Sequence, residues 1–151
     1  MTRIQESFDR QGLMKTLGAT VVTVEKGYVE IALPFSPTLT QQHGYFHAAT
    51  STAIADTAGG YAALTLMDEG DDVLAVEFKM NLLRPAVGER LVACARVLKP
   101  GRTLTVCRID VFAERAPDRD QRGSRDRILV ATMTQTNFRV RSGHHAERTS
   151  P

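Results

Sequence analysis

The stretch AATSTAIADTAGGYAALTLM, from Ala48 to Met67, decides what fold this chain can adopt. It carries one charged side chain, Asp56, and is otherwise built from small or apolar residues that would face every side of a helix. A helix without a polar face is a buried helix. Because Ala, Ser, Thr and Gly keep its radius small, other elements can wrap it closely. The stretch therefore predicts a long, buried central helix.

Strands are predicted on both sides of this helix, after a short amphipathic helix from Ile4 to Met14. They are marked by period-two alternation or by Val, Ile and Thr enrichment, and they run Leu17 to Glu25, Tyr28 to Leu33, Val73 to Leu83, Glu89 to Leu98, Thr103 to Ala113 and Ile128 to Val140. Lys26-Gly27 predicts a hairpin, and Phe35 to Phe46 a loop. A sheet can cover a central helix only by curling around it. The prediction is an α+β fold with a curved antiparallel sheet wrapped around one long helix.

The strand after the helix has a clear pattern. From Leu74 to Leu82 the even positions are apolar, and the odd positions from Glu77 to Asn81 are polar. This period of two is typical of a half-buried strand.

The length of 151 residues predicts a single domain, residues 1–141, followed by a polar, frayed tail at 142–151. His144-His145 is interpreted as part of this tail rather than as a metal site. From Glu114 to Arg127, acidic and basic residues mix and largely cancel. That pattern predicts a solvated loop.

Composition excludes several classes of protein. The net charge of +2, without a basic face interleaved with aromatic residues, argues against a nucleic-acid binder. Asp56 in the middle of the weakly polar stretch argues against a membrane span. The N-terminus has no continuous apolar segment, so no signal peptide is indicated. Cys94 and Cys107 lack metal-ligand spacing and predict reduced core thiols in a cytoplasmic protein.

Candidate chemistry concentrates around the start of the central helix. No nucleotide-binding loop, HExxH, GxSxG or paired CxxC motif occurs. What remains is the segment from Gln41 to Ala49, followed by Asp56. A helix start offers free backbone N–H groups that can polarise a carbonyl and stabilise an oxyanion. A carboxylate in an apolar helix suits a base or a nucleophile. The alternative is that Asp56 has a structural partner and His47 is an N-cap.

Helix geometry separates these two candidate groups. Ala48 and Asp56 are eight residues apart, which is about 12 Å along a helix axis. One small reacting group cannot easily touch both. If both act on the same carbonyl, they come from different subunits, so the chemistry predicts a dimer or a dimer of dimers.

The segment His-Gly-Tyr-Phe-His-Ala-Ala, with Asp56 nine residues after His47, resembles the helix-start signature of the PaaI-type (phenylacetate-pathway) hotdog thioesterases. VEFKMNLLRPA, from Val76 to Ala86, and VLKPGRTL, from Val97 to Leu104, fit the same family. The resemblance covers roughly Leu17 to Val140. It implies the hotdog fold and hydrolysis of an acyl-coenzyme A (CoA) thioester to free acid and CoA.

The resemblance also implies roles for individual residues. Asp56 would be the general base or nucleophile, and the Ala48 N–H would polarise the thioester carbonyl with His47 beside it. Gln41 stands where the family has an Asn that holds the carbonyl or the water. The residues implied near the CoA phosphates are Arg84, Lys99, Gly101, Arg102 and Thr103. No metal or other cofactor is implied.

Several positions depart from the family pattern. Ala48-Ala49 replaces Gly-Gly, Gln41 replaces Asn, and Ala75 stands where some relatives have a Ser that holds water. These departures leave open an acyl-CoA binding protein with weak or no catalysis. A hotdog hydratase or dehydratase is the other alternative, although its His-Phe-Pro type motif is absent.

Overall fold

The helix predicted from Ala48 onward is the centre of the fold. In the computed structural model, which describes residues 2–115 and 126–141, this helix runs Ala48–Leu64 and ends before the predicted Met67. Ile54, Ala58 and Ala62 are completely buried. The prediction of a long buried helix is confirmed.

The other elements follow the predicted order. The helices are α1 (Arg3–Phe8), α2 (Gly12–Leu17) and α3 (Ala48–Leu64), with a single 3₁₀ turn at Pro37–Leu39. The strands are β1 (Thr20–Glu25), β2 (Tyr28–Pro34), β3 (Asp72–Leu82), β4 (Arg90–Lys99), β5 (Leu104–Arg115) and β6 (Asp126–Val140).

These six strands form one antiparallel sheet in the order β1-β2-β4-β5-β6-β3. One row of inward-facing residues crosses its middle, because Ile31 pairs with Ala93, Ala93 with Val111, and Val111 with Ala131. All four are at most 1% exposed. The sheet therefore curves around α3 with small residues at the point of contact, and the predicted α+β architecture is confirmed.

Strand β3 is an edge strand, and the prediction that it is half-buried is wrong. Its register shifts between Ala75, which pairs with Asn137, and Glu77, which pairs with Thr136, so Val76 is the extra residue of a bulge. The bulge changes which positions face the helix. Phe78 and Leu82 lie on the helix side of the sheet, opposite buried residues of β6, yet remain 48% and 59% exposed. The apolar pattern of β3 thus belongs to a surface that residues 2–115 and 126–141 leave about half exposed.

The predicted amphipathic helix at the N-terminus is two short helices. Thr2 caps α1, and α2 ends at Gly18, which adopts a left-handed conformation with φ 75°. This ending delays the start of β1 from the predicted Leu17 to Thr20. The pair packs against α3, where the rings of Phe8 and Tyr61 lie 6.3 Å apart.

Glu114 is buried, which contradicts its prediction as part of a solvated loop. It belongs to β5 and is 1% exposed. Its two carboxylate oxygens accept hydrogen bonds from Arg90 Nε at 2.6 Å and Arg127 Nε at 2.7 Å. Two neighbouring strands thus supply the charge that lets a carboxylate be buried. Residues 116–125, the middle of the predicted loop, and the predicted tail at 142–151 lie outside the described residues.

Neither cysteine forms a disulfide in the structure. Cys107 is fully buried, and burial raises the pKa of its thiol to about 11. A protonated, buried thiol is a poor nucleophile. Within residues 2–115 and 126–141, no helix has the length and apolar character needed to cross a membrane.

Gly59 and Gly60 differ in the space around them and provide a matched test of the packing. A Cβ added at Gly59 would overlap Gln135 Oε1 and lie 2.9 Å from Ile109 Cδ1. A Cβ at Gly60 would find its nearest neighbours at 3.8 and 3.9 Å, in ordinary contact. We expect Gly59→Ala to destabilise the fold by about 1–3 kcal/mol through overpacking. Gly60→Ala should leave the melting temperature unchanged or raise it, because Ala is the better helix former. Thermal unfolding followed by circular dichroism measures both, and equal melting temperatures for the two variants would contradict this packing.

Candidate active site at the central helix

The N-terminus of α3 opens into a cavity of about 470 Å³. His47 is the N-cap, as the structural alternative predicted, and its Nδ1 accepts a hydrogen bond from the Ala49 N–H at 3.0 Å. The His47 carbonyl accepts the Thr50 N–H. In the part of the chain that the structure describes, the Ala48 N–H has no acceptor. His47 thus provides acceptors for the N–H groups of Ala49 and Thr50 but not for that of Ala48. Ala48 lines the cavity.

The loop before α3 is held in place by backbone hydrogen bonds. Gln41 donates its N–H to the Tyr45 carbonyl at 2.8 Å, and Gly44 closes the turn with φ 82°. The side-chain Oε1 of Gln41 accepts the His43 N–H, so its Nε2 remains as a donor. Gln41 lines the same cavity as Ala48. The structure therefore brings together two of the predicted site residues, with His47 capping beside them.

Asp56 opens into a second cavity of about 250 Å³. Its Oδ1 accepts a hydrogen bond from Gln135 Nε2 at 2.6 Å. Among the described residues no ion pair involves Asp56. Burial raises the pKa of the Asp56 carboxyl above its ordinary value, and the Gln135 hydrogen bond partly offsets that rise. The carboxylate therefore has a structural partner, but one that is neutral.

Gln135 and Asn137 form a chain of buried amides that ends at Asp56. Both are fully buried on β6, and Asn137 Nδ2 donates to Gln135 Oε1 at 3.1 Å. The chain passes α3 at Gly59, where the absence of a side chain leaves room for the Gln135 amide. Neither residue is among the site residues predicted from the sequence. Their position could have identified them. Positions 135 and 137 follow Ala131 and Met133 on the inward face of β6, where polar side chains are unexpected.

Ser7 of α1 and Gln11, the N-cap of α2, contribute polar side chains to the Asp56 cavity together with Tyr61 of α3. Gln11 Nε2 donates to Tyr61 Oη at 2.8 Å, and Tyr61 Oη donates to Ser7 Oγ at 3.1 Å. Ser7, Gln11 and Tyr61 all line the cavity. A polar wall of this kind was not predicted, because amphipathic patterning identifies only the apolar face of α1 and α2.

The residues predicted near the CoA phosphates fall into two groups within one chain. Arg84 lines the cavity at the start of α3. Arg102 and Thr103 lie instead in a cavity of about 230 Å³ that is also lined by Arg139 and Arg141. Lys99 and Gly101 lie in the same turn, where a Cβ on Gly101 would overlap the Leu104 carbonyl. The predicted set is therefore not assembled by a single chain.

The two cavities along α3 lie at opposite ends of the edge strand β3. Leu82, the last residue of β3, lines the cavity at Ala48. Asp72 to Ala75, at its beginning, line the cavity at Asp56. The separation between the Ala48 N–H and the Asp56 carboxylate that helix geometry predicts is thus present as two distinct cavities.

A curved antiparallel sheet around one helix, with a free N–H at the helix start and a neutral-paired carboxylate in its middle, defines a hotdog-fold thioesterase. Residues 43–117 match the family model described as the thioesterase superfamily. A solved thioesterase family protein from Silicibacter pomeroyi is 45% identical, with 91% of this chain and 95% of that chain covered and a TM-score of 0.81. The chain belongs to the thioesterase superfamily.

Two further comparisons agree with this assignment. A 1,4-dihydroxy-2-naphthoyl-CoA hydrolase of Listeria monocytogenes is 27% identical over 68% of this chain and 84% of its own. The PaaI protein of the E. coli phenylacetic acid degradation operon shares the fold with a TM-score of 0.75 at 19% identity, covering 91% of this chain and 90% of its own. The predicted kinship with PaaI-type hotdog thioesterases is confirmed.

The two buried carboxylates predict opposite effects on stability. Because the pKa of Asp56 is raised on folding, its charge destabilises the native state above that pKa, and the cost disappears as pH falls toward about 4. We expect Asp56→Asn to melt at a higher temperature near neutral pH, with a gain that shrinks on acidification. Glu114→Gln should melt at a lower temperature, because Arg90 and Arg127 lose their charged partner. Melting curves between pH 4 and 8 measure both, and a lower melting temperature for Asp56→Asn at pH 7 would contradict this account.

Proposed function

We propose that the protein hydrolyses an acyl-CoA thioester to free acid and CoA at a site made from two subunits. The observation that carries the proposal is a pair of groups on one buried helix, a backbone N–H without an acceptor and a carboxylate without a counter-charge. The Ala48 N–H lacks an acceptor in the described part of the chain, and Asp56 has a neutral partner only. An acyl-CoA substrate is supported by the Listeria relative, whose name gives a CoA thioester as its substrate.

The edge strand β3 supports a dimer as the active unit. Its apolar side chains on the helix side, Phe78 and Leu82, are about half exposed. An exposed, apolar edge is a surface that native proteins usually cover. If two β3 edges pair antiparallel about a two-fold axis, the Leu82 end of one strand lies beside the Asp72 end of the other. That pairing joins the Ala48 cavity of one subunit to the Asp56 cavity of its partner.

The same pairing would unite the two groups of cations. Arg84 follows the Leu82 end of β3, whereas Val73, at the other end, pairs with Arg139. Arg139 donates its N–H to the Thr103 carbonyl, next to Arg102. In the paired dimer, Arg84 of one subunit therefore approaches Arg102 and Arg141 of its partner. Arginine side chains at one rim suit the diphosphate and 3′-phosphate of CoA.

The reaction would use these groups as follows. The thioester carbonyl oxygen accepts the Ala48 N–H, so that negative charge developing on it is stabilised at the positive end of the α3 dipole. Asp56, from the other subunit, acts as general base, taking a proton from the attacking water, or as nucleophile toward the carbonyl carbon. The carbon–sulfur bond then breaks, and CoA leaves as a thiol after gaining a proton. In the nucleophilic case the acyl anhydride formed on Asp56 is hydrolysed by water to release the acid and restore the carboxylate. No metal or redox cofactor takes part.

Replacing Asp56 tests the proposed activity. Asp56→Asn keeps the volume and an oxygen for the Gln135 hydrogen bond but removes the base. We expect turnover to fall by about two orders of magnitude or more, while acyl-CoA binding persists. Thiol release over a panel of acyl-CoA esters measures the rates, and calorimetry measures binding. Full turnover by Asp56→Asn would remove Asp56 from the mechanism. Binding without turnover by the unmodified protein would support an acyl-CoA binding protein instead, and hydration of an enoyl ester a hydratase.

Mixing two inactive variants tests the shared site. Ala48→Pro removes the proposed N–H donor at the first helical position, where proline is well tolerated, and His47 before it is already extended with ψ 139°. Ala48→Pro and Asp56→Asn should each be inactive alone. In a heterodimer, one of the two sites combines an intact Ala48 N–H with an intact Asp56, so random mixing should restore about a quarter of the activity.

The mixing experiment has a clear contrary result. A site contained in one chain would stay inactive after unfolding and refolding the two variants together. Light scattering on the unmodified protein supplies the control, since a fully active monomer would also exclude the shared site.

Arg102 tests the phosphate contact. Arg102→Ala should raise the Michaelis constant for a complete CoA ester several-fold, with little change in turnover, because a charge-assisted hydrogen bond remote from the reaction is lost. A pantetheine ester lacks the 3′-phosphate and diphosphate and should be unaffected. Arg108→Ala is the matched control, since Arg108 is exposed and pairs with Asp110 away from the cavities. Equal losses on both esters would count against a phosphate role.

A further inference from the structure

Asn137 carries an unsatisfied polar atom and lines the same cavity as Asp56. Its side chain is completely buried on β6 and lines the Asp56 cavity. Within residues 2–115 and 126–141, Asn137 Oδ1 is the one buried side-chain nitrogen or oxygen without a hydrogen-bond partner. Burying an amide oxygen without a partner costs free energy, so such an atom calls for an explanation. The proposed roles of Asp56, Ala48 and Gln41 leave it unused.

The orientation of this amide is fixed by its neighbours. Gln135 presents Nε2 to Asp56, because a carboxylate can only accept. Gln135 Oε1 therefore faces Asn137, which presents Nδ2 to it at 3.1 Å. Turning either amide over would place two oxygens against each other, or a nitrogen donor against another donor. Oδ1 of Asn137 is consequently left without a protein donor, on a residue that lines the cavity.

We propose that Asn137 Oδ1 and the Asp56 carboxylate together hold the hydrolytic water. This inference rests on the proposed thioester hydrolysis. Water has two O–H groups, so it can donate one to each acceptor and keep a lone pair for the carbonyl carbon. The hydroxyls of Ser7, Thr57 and Tyr61, which also line this cavity, are hydrogen-bonded to Gln11 or to each other. Asn137 Oδ1 has no such partner among the described residues. Asn137 thus supplies the second acceptor.

This arrangement assigns Asp56 the role of general base. The water oxygen forms a bond to the thioester carbon while Asp56 takes one water proton. The carbonyl oxygen becomes an oxyanion at the Ala48 N–H of the other subunit. When the intermediate collapses, the carbon–sulfur bond breaks, and the proton held by Asp56 passes to the departing sulfur. Asn137 keeps its hydrogen bond to the remaining O–H throughout and exchanges no proton, and the products are the acid and the thiol.

Removing and restoring the acceptor tests the role of Asn137. Asn137→Ala should lower kcat by about tenfold or more, the scale of one lost hydrogen bond in the transition state, while KM changes little. Adding Ala75→Ser places a hydroxyl opposite position 137 on the neighbouring strand, and we expect it to recover several-fold of the loss. A hydroxyl on another strand cannot replace the Nδ2 donor to Gln135, so rescue identifies the acceptor role.

Gly60→Ala provides a second arm that leaves the amide chain intact. The added methyl lies 3.9 Å from Asn137 Oδ1 and takes space from the water without a clash. We expect kcat to fall while the melting temperature is kept. Gly12→Ala is the matched control, since a Cβ there has no neighbour within 4 Å, and its activity should be unchanged.

The outcomes separate this inference from the proposed function. If the unmodified protein hydrolyses no acyl-CoA ester, the proposed function fails. If it does, but Asn137→Ala keeps full kcat, the inference is wrong. The loss of kcat in Asn137→Ala has a structural cause if Ala75→Ser does not restore the lost kcat and Gly60→Ala does not reproduce the loss. This result also overturns the inference. Should Asn137→Ala fail to fold, full activity in Gly60→Ala overturns the inference and a selective fall in its kcat supports it.

Discussion

The contact between Gly59 of α3 and Gln135 of β6 is the constraint on which the site depends. A Cβ at Gly59 would occupy the position of the Gln135 amide, and without that amide the Asp56 carboxylate would lose its hydrogen bond. The same small residues that let the sheet curve tightly around the helix therefore let the Gln135 amide pass Gly59 and reach Asp56. Close packing and carboxylate placement have one common cause.

Glu114 and Asp56 are two buried carboxylates that differ in the charge of their partners. Glu114 is neutralised by two guanidinium groups, and its charge is fully used within the fold. Asp56 receives a neutral amide, which orients the carboxylate but leaves its charge uncompensated and its pKa raised. A carboxylate held in this way is a better base than one in an ion pair. The uncompensated charge of Asp56 therefore destabilises the native state, whereas the charge of Glu114 is offset by its two arginines.

The sequence predicts the features that depend on local pattern. The buried helix, the strand order along the chain and the candidates Ala48 and Asp56 follow from composition, alternation and spacing. Gln135 and Asn137 could not be assigned roles, because their contacts depend on which face of β6 packs against α3 at Gly59. The exposure of Phe78 depends on the position of β3 at the sheet edge, and alternation carries no information about strand order. Glu114 was wrongly predicted to lie in a solvated loop, because the arginines that neutralise it, Arg90 and Arg127, lie on other strands.

The rise of an α-helix is a fixed quantity, and this links the chemistry of the site to its assembly. No substitution in α3 can shorten the roughly 12 Å of helix axis between Ala48 and Asp56 while the helix persists. A second copy of the helix, running the opposite way, removes the difficulty without any change in either copy. The strand that would bring it there is β3, whose two ends line the two cavities. In the proposed dimer, the apolar edge strand β3, whose exposure is costly in a lone chain, would complete the site. Selection on activity would then preserve this edge against substitutions that make a monomer more soluble.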